Sequence, residues 1–404
     1  GVHYIAFAWA SPYNGWYQYY PPGGGSASWY NMDLGVHSVG ISTNGYREAS
    51  MADFHSPLGR TRTYKGTSTT QLLSETYYDT RYGKGDEISN YTYNYASDTG
   101  EKKDVVYYYY GMTENNSASA QRAMSAARGD MLTYTRTNRW NTTTNTEGTK
   151  KAETFYSIRV WDTMYEEWIT RDKGDEVSDV TYEYNVAGSV IKSTTINFYD
   201  QVDRRAWLSA YGEALAMTRT YKGQGTVQLT SATYFDTRFG KDSEISDYSM
   251  TYGGTLSTPL AKTNFWYSKT EGAQGVRASA AATNDLMTRS TSHKWDTAGN
   301  KEGSLKTETY YDIKDDATGI LREKGEEISD YAWGYSGTGP SKTSVTYYWY
   351  GTEEGGGSWR ADSASSDDRM AMTKLFRWNS TGEGSAKSAT YYDFMVNDGL
   401  SRDK

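Results

Sequence analysis

Four histidines and three pairs of adjacent acids are the residues whose chemistry would first suggest a reaction or a metal. His3, His37, His55 and His293 are scattered along the chain. None falls in a spacing such as His-Glu-x-x-His, which sets two imidazoles on one helix face around zinc. The chain has no cysteine, which excludes disulfides, thiolate nucleophiles and cysteine-ligated zinc. It also has no Gly-x-Ser-x-Gly elbow, phosphate loop or dinucleotide fingerprint. Asp86-Glu87, Asp175-Glu176 and Glu326-Glu327 have the side chains for acid–base work or for calcium. Neighbours on an extended strand point to opposite faces, however, and calcium needs six or more converging oxygens. The pair also recurs along the chain, whereas an active site is needed only once. The sequence therefore predicts a protein that is not an enzyme, with no catalytic, cofactor-binding or metal-binding residues and no cofactor. The repeated Glu is expected to face an Arg or Lys of the next repeat, or to guard a strand edge by charge.

Two further chemistries involve sugars. Asn90-Tyr91-Thr92, Asn115-Asn116-Ser117, Asn141-Thr142-Thr143 and Asn379-Ser380-Thr381 match the short N-glycosylation pattern, and abundant Ser and Thr leave O-linked sugars open. Aromatic rings on an exposed strand face can stack on sugars, with Trp359 a candidate. Buried, the same rings are core, and little else here can fill one: 39 residues are Tyr and 13 Trp, while hydrophobic residues make up only 36%.

The elements that must position these residues are repeats. Thr61-Arg62-Thr63-Tyr64-Lys65-Gly66 returns 157 residues later as Thr218-Arg219-Thr220-Tyr221-Lys222-Gly223, and Tyr77-Tyr78-Asp79-Thr80-Arg81 as Tyr234-Phe235-Asp236-Thr237-Arg238. Each long repeat contains two related units. The Tyr-Tyr-Asp element starts at 77, 155 (as Phe155-Tyr156-Ser157), 234, 310 and 391. An acid-Glu-Ile/Val-Ser-Asp/Asn element spans Asp86 to Asn90, Asp175 to Asp179, Ser243 to Asp247 and Glu326 to Asp330. From its Glu to the last residue of an aromatic run the distance is 23 in every copy: Glu87 to Tyr110, Glu176 to Tyr199, Glu244 to Tyr267, Glu327 to Tyr350. From Tyr-Tyr-Asp to that Glu it is 10, 21, 10 and 17. The 23-residue block is thus rigid, and the variable stretch reads as a loop.

Inside the block the pattern alternates. Tyr91, Tyr93 and Tyr95, like Tyr331, Trp333 and Tyr335, fall on one face of a strand. A turn at 96–100 and a second strand from Val105 to Tyr110 complete a hairpin. An Ala-rich segment opened by Arg122, Arg205 or Arg277 predicts one or two helical turns. A second hairpin follows, whose first strand carries Tyr64, Trp140, Tyr221, Trp295 or Trp378. The predicted fold is all-β with minor α: an elongated tandem-repeat rod or tube of antiparallel hairpins with a short helix per unit, stacked to bury their faces jointly. A β-propeller-like closure is the alternative, since four strands also make a blade. The expected divisions are a divergent N-terminal cap or assembly segment at 1–57, repeat units at 58–132, 133–217, 218–287 and 288–372, and a partial unit at 373–404. Arg47-Glu48-Ala49-Ser50-Met51 reads as a further copy of the Arg-Ala segment, after the Pro/Gly-rich aromatic patch Trp16 to Gly25.

Tyr-Tyr-Asp followed by a Gly-containing turn and a Tyr-rich strand resembles the YD-repeat (RHS-like) proteins, long secreted or surface β-repeat proteins of environmental bacteria. The resemblance covers roughly 58–404. It implies a structural role outside the cell, and for some members a shell around a toxin.

A net charge of −8 and a pI near 5.3 argue against nucleic acid, which needs a basic footprint. No run approaches the ~20 apolar residues of a membrane span. Arg402-Asp403-Lys404 matches Arg171-Asp172-Lys173, so the polypeptide is expected to continue within a repeat; a start at Gly1 predicts an N-terminus elsewhere or processed. The expectation is a structural filament, fibre or stalk protein, extracellular or at the cell surface. Its expected partners are copies of itself and glycans, covalent or bound, with no nucleic acid and no membrane span. A carbohydrate-binding adhesin or a YD-repeat toxin shell segment is the alternative.

Overall fold

The computed structural model describes residues 56–392 apart from 66–69, 97–99, 115–117, 163, 201–202, 211, 254–257, 316–318, 323, 338, 340, 352–357 and 365–367, together with strands Ile5–Ala10, Gln18–Tyr19, Ser28–Trp29 and Tyr46–Glu48. His3, His37, His55, the patch 16–25 (save its Gln18–Tyr19 strand), Asn115 and 402–404 lie outside the described residues. The chain forms two compact units, 1–148 and 149–404. The described residues are almost all β, 61% strand and 4% helical.

In the first unit, strands Arg60–Tyr64, Leu72–Asp79, Ile88–Tyr95, Lys102–Gly111 and Met131–Asn141 each pair antiparallel with the one before. Ile5–Ala10 pairs with the outer edge of Arg60–Tyr64 and with Tyr46–Glu48. In the second unit the same meander runs through Thr146–Ser157, Val177–Tyr184, Ile191–Tyr199, Leu215–Lys222, Leu229–Asp236, Ile245–Tyr252 and Pro259–Ser268. It continues through Leu286–Asp296, Lys301–Asp312, Ile328–Tyr335, Lys342–Gly351, Arg369–Asn379 and Gly382–Tyr391. Among the described residues the sheet does not close into a barrel.

Four strands and one short helix recur, and each such set is a module. The third and fourth strands are Ile88–Tyr95 with Lys102–Gly111 in module 1, Val177–Tyr184 with Ile191–Tyr199 in module 2, Ile245–Tyr252 with Pro259–Ser268 in module 3, and Ile328–Tyr335 with Lys342–Gly351 in module 4. The fourth strand of each module is hydrogen-bonded to the first strand of the next. The ladder therefore crosses the module boundary. A propeller keeps each four-stranded blade a separate sheet, so the propeller alternative does not hold.

β-Bulges recur at equivalent places. At the module boundary the extra residue is Thr133, Ala216, Thr288 or Ala371, beside the last aromatic residue. Between second and third strands it is Asn90, Asp179, Asp247 or Asp330. A bulge bends a strand and re-aims a side chain, and both effects matter below.

The helix of each module is a single 3-10 turn: Ala123–Ser125, Ala206–Leu208, Ala278–Ala280 or Ala361–Ser363. It is the short end of the one or two turns that the alanines predict, and of 3-10 rather than α type. Its first Ala is fully buried in every copy, and an arginine takes the carbonyl of that Ala and of the residue just after the turn.

Candidate functional site

The acid-Glu-Ile-Ser-Asp element is a joint in which each residue has one task. Asp86-Glu87 and its equivalents lie in the turn before the third strand, not on it. Glu87 accepts the backbone N–H of Gly85 at 2.8 Å through one oxygen and that of Leu58 at 2.7 Å through the other. Glu327 does the same with Gly325 and Met287, Glu244 takes Leu215 N–H, and Glu176 takes Gly174 N–H. The repeated Glu is therefore a staple for main-chain donors. A carboxylate that satisfies two amides, as Glu87 and Glu327 do, fixes the turn and the neighbouring strand together.

The next residue, Ile88, Val177, Ile245 or Ile328, is buried against the last aromatic and the first Ala of the 3-10 turn. The carbonyl of Ser89, Ser178, Ser246 or Ser329 accepts a hydrogen bond from the hydroxyl of Tyr110, Tyr199, Tyr267 or Tyr350, at 2.5–2.7 Å. This bond accounts for the invariant 23-residue spacing: the Tyr ring fills the pocket beside Ile/Val while its tip reaches the serine carbonyl. Burial pushes the Tyr199 phenol up to about 12, outweighing the opposite pull of its Ser178 and Asn197 hydrogen bonds.

The last residue of the element is the bulge residue, turned toward the Arg that opens the 3-10 turn. Arg122 meets Asn90, Arg205 meets Asp179 through two bonds of 2.8 and 2.6 Å, Arg277 meets Asp247 at 2.7 Å, and Arg360 meets Asp330. A second arginine clamps the turn across its length, from the carbonyl of its first residue to that of the residue following it. Arg81 donates to the carbonyls of Ala123 and Ala126, Arg171 to Ala206 and Ser209, Arg238 to Ala278 and Ala281, and Arg322 to Ala361 and Ala364, at 2.6–3.1 Å.

Sequence reading missed these four arginines as a set. In modules 2 and 4 extra residues stand between the Tyr-Tyr-Asp element and the arginine, and they fold into hairpins. These are Arg159–Asp162 with Glu167–Thr170, and Lys314–Asp315 with Ile320–Leu321. Backbone bonds from Arg171 to Ile158 and from Arg322 to Ile313 close each hairpin at its base and return the arginine to the place of Arg81 and Arg238. The variable stretch is thus an ordered insertion. The signal was present, since each arginine stands five or six residues before the repeated Glu.

A second repeated feature is the aromatic row. Tyr77 stacks on Tyr91 at 4.7 Å, Tyr234 on Tyr248 at 4.5 Å and Tyr310 on Tyr331 at 4.8 Å. Edge contacts extend the row from Tyr91 to Tyr93 in module 1 and on to Trp140 on the first strand of module 2, and Trp333 meets Trp378 at 4.5 Å in the second unit. Cations lie over these rings: Lys102 is 3.8 Å from Tyr93, Lys342 3.8 Å from Trp333, Lys262 4.4 Å from Tyr248, and Arg360 4.5 Å from Tyr347. The rings are half-buried, and a cation over a ring occupies the face a sugar would use. Trp359, expected to be exposed, packs instead against the Ile328, Tyr350 and Ala361 cluster and donates to Asp368 at 3.1 Å.

Exposed aromatic surface is concentrated at the inserted hairpin of module 2. Trp161 meets Trp168 at 5.3 Å, and Trp168 lies 6.0 Å from Trp207; Trp168, Trp207 and Tyr165 are exposed. His293 is half-buried, with Nδ1 3.4 Å from the Gly303 carbonyl. Among the described residues no three His, Asp or Glu side chains gather as metal ligands, and no helix is long and apolar enough to cross a membrane.

No family model matches the chain, and no curated protein matches it. Among solved structures, the crystal structure of TcdB2-TccC3-TEV aligns with 82% of this chain and 19% of its own, at 10% identity and a TM-score of 0.14. A TM-score that low does not establish a shared fold.

Proposed function

We infer that this chain is a structural repeat protein, a segment of an extracellular or cell-surface filament, fibre or stalk of the YD-repeat kind. The observation that carries this is the ladder crossing every described module boundary, with a bulge at the same place and the same joint on each side. A module joined in this way can be added again without a new type of contact, which is the requirement of a repeat scaffold. The chemistry that recurs is all internal: carboxylate to backbone amide, arginine to carbonyl, tyrosine to carbonyl. Electron microscopy of the native material is the test. Regular filaments with an axial repeat near two modules are expected, and compact isolated particles would overturn the reading.

The adhesin reading is favoured by one observation, the exposed Trp168, Trp207 and Tyr165 on the module 2 insertion. Trp168→Ala would abolish glycan binding if that surface held sugar, and a broad glycan array without a single ligand would remove the reading.

A further inference from the structure

The structure separates the glycosylation patterns in the sequence. Asn90 is a bulge residue inside a sheet, half-buried, and its Oδ1 accepts a hydrogen bond from Arg122 at 2.7 Å. Its side chain is committed to the joint. Asn379 is different. It is the last residue of strand Arg369–Asn379, pairs with Gly382, and leaves Ser380 and Thr381 as the tip of a tight hairpin. Asn379, Ser380 and Thr381 are all exposed. The Asn379 Oδ1 accepts both the Thr381 N–H at 2.9 Å and the Thr381 hydroxyl at 2.6 Å. Both bonds go to the amide oxygen, and among the described residues Nδ2 makes no hydrogen bond. Donors on the oxygen draw electron density from the amide, which eases loss of an N–H proton.

Asn141 holds the corresponding place one step after a strand tryptophan, Trp140 as Trp378 precedes Asn379. Asn141 is half-buried, but unlike Asn90 it stands at a hairpin tip: its Oδ1 accepts Thr144 N–H at 3.1 Å, and the Thr143 of its pattern is exposed. Module 4 offers an internal contrast. There the tip residue is Asp296, whose Oδ1 accepts the amides of Ala298 and Gly299, and the pattern is absent.

We propose that Asn379 and Asn141 are sites of N-linked glycosylation, with an oligosaccharide carried on a lipid diphosphate as donor. The asparagine Nδ2 forms a bond to the anomeric carbon of the sugar. The bond from that carbon to the diphosphate oxygen breaks, the lipid diphosphate leaves with the electron pair, and the amide proton passes to a base of the transferase. No oxidant or reductant is involved. A glycan at either tip projects from the end of a hairpin and displaces no core side chain. The proposal rests on the extracellular reading, because such donors are used on the outward side of a membrane.

Peptide mass mapping of the native protein tests it, together with surface labelling of the intact cells that make it. Peptides holding Asn379 and Asn141 are expected to carry oligosaccharide mass, and the Asn90 peptide none. Asn379→Gln and Thr381→Ala should each remove the mass at 379 and leave that at 141, whereas Thr381→Ser should retain it. Bare Asn379 and Asn141 would overturn the proposal, as would a glycan at Asn90 at equal occupancy. Surface labelling reads location independently. Bare tips on a labelled chain sink glycosylation alone, while a chain that is never labelled also sinks the extracellular reading.

Discussion

Modules 1 and 3 fill the same position of the same sheet pattern with opposite chemistry. In module 1 the centre is ionic. Arg60, almost fully buried, donates to Glu75 at 2.8 Å; Arg62 donates at 2.7 Å, Tyr77 at 2.7 Å and Tyr95 at 3.4 Å to the same carboxylate. In module 3 the positions of Arg60 and Glu75 are held by Met217 and Ala232, both buried, and Met217 joins a cluster with Ile196, Phe198, Tyr221 and Leu229. Module 4 returns to the ionic form, with Arg289, Glu308 and Tyr335. Module 2 keeps the acid and the tyrosine, Glu153 and Tyr184. The strand register is the same in modules 1, 3 and 4: Arg60 opposes Tyr77, Met217 opposes Tyr234, and Arg289 opposes Tyr310. The joint and the bulges therefore specify the fold, and the centre of the sheet tolerates either filling so long as it is complete.

The largest expected effect comes from breaking the ionic centre halfway. Glu75→Ala leaves the Arg60 charge buried without its main partner, at a cost of about 3–5 kcal/mol. The double change Arg60→Met with Glu75→Ala copies module 3 and is expected to recover most of that, because replacing a whole buried pair by apolar groups is neutral or stabilising by about 1–4 kcal/mol. Chemical denaturation of wild type and both variants measures this. Equal loss in the single and double variants would show that the two centres are not interchangeable. The apolar centre is expected to fail by a cavity: Met217→Ala should cost about 2–5 kcal/mol, with no dependence on pH.

The pH response sharpens the contrast. Burial pushes Glu75 and Glu308 up, but hydrogen bonds from tyrosine and arginine and the arginine charges outweigh it, so both carboxyls titrate below their ordinary range. A lowered folded value means that the stabilisation is full above the unfolded value, about 4.3, and is lost as pH falls through the folded one. Wild type should therefore lose stability below about pH 4, and Arg60→Met with Glu75→Ala should flatten that acid limb. The alkaline limb should not distinguish the modules. Burial first, then stacked tyrosines, pushes Tyr248 of module 3 and Tyr331 of module 4 up to about 12. Stability held by these phenols is full below about pH 10 and is lost as pH rises through their folded values in both. A denaturation midpoint followed across both ranges checks the two limbs together.

The residues that carry the joint were legible to different depths. The period of two put Tyr91 and Tyr93 on one face, and the structure brings those rings to 5.3 Å. The 23-residue spacing marked a rigid block before any hydrogen bond was known. What spacing did not reveal was direction. An acid beside a strand reads as an ion-pair partner, and only the turn geometry shows Glu87 aimed at the amides of Gly85 and Leu58. The bulges hid the role of Asn90, Asp179, Asp247 and Asp330, because an extra residue breaks the alternation by which faces are assigned. The hairpin insertions hid Arg171 and Arg322 for a simpler reason: they lengthen the chain between residues that remain neighbours in space. The Trp161, Trp168 and Trp207 cluster was likewise invisible, since it is assembled from an insertion and a 3-10 turn.

The smallest effect probes the cations over the aromatic rows. Lys342 lies 3.8 Å from the Trp333 ring, and Lys102 bridges Tyr93 and Trp140 at 3.8 and 4.4 Å. Lys342→Ala should cost about 0.5–1 kcal/mol, the value of a partly exposed cation–π contact, and Lys102→Ala a similar amount. Lys342→Met separates charge from packing, because it keeps most of the stem that covers the ring. If the charge matters, Met behaves as Ala; if the lysine mainly shields the indole from water, Met restores stability. The second outcome would align these rows with the centre of the sheet, where Met217 stands in module 3 at the place of Arg60 in module 1, and would mean that coverage, not charge, is what the neighbouring rings require.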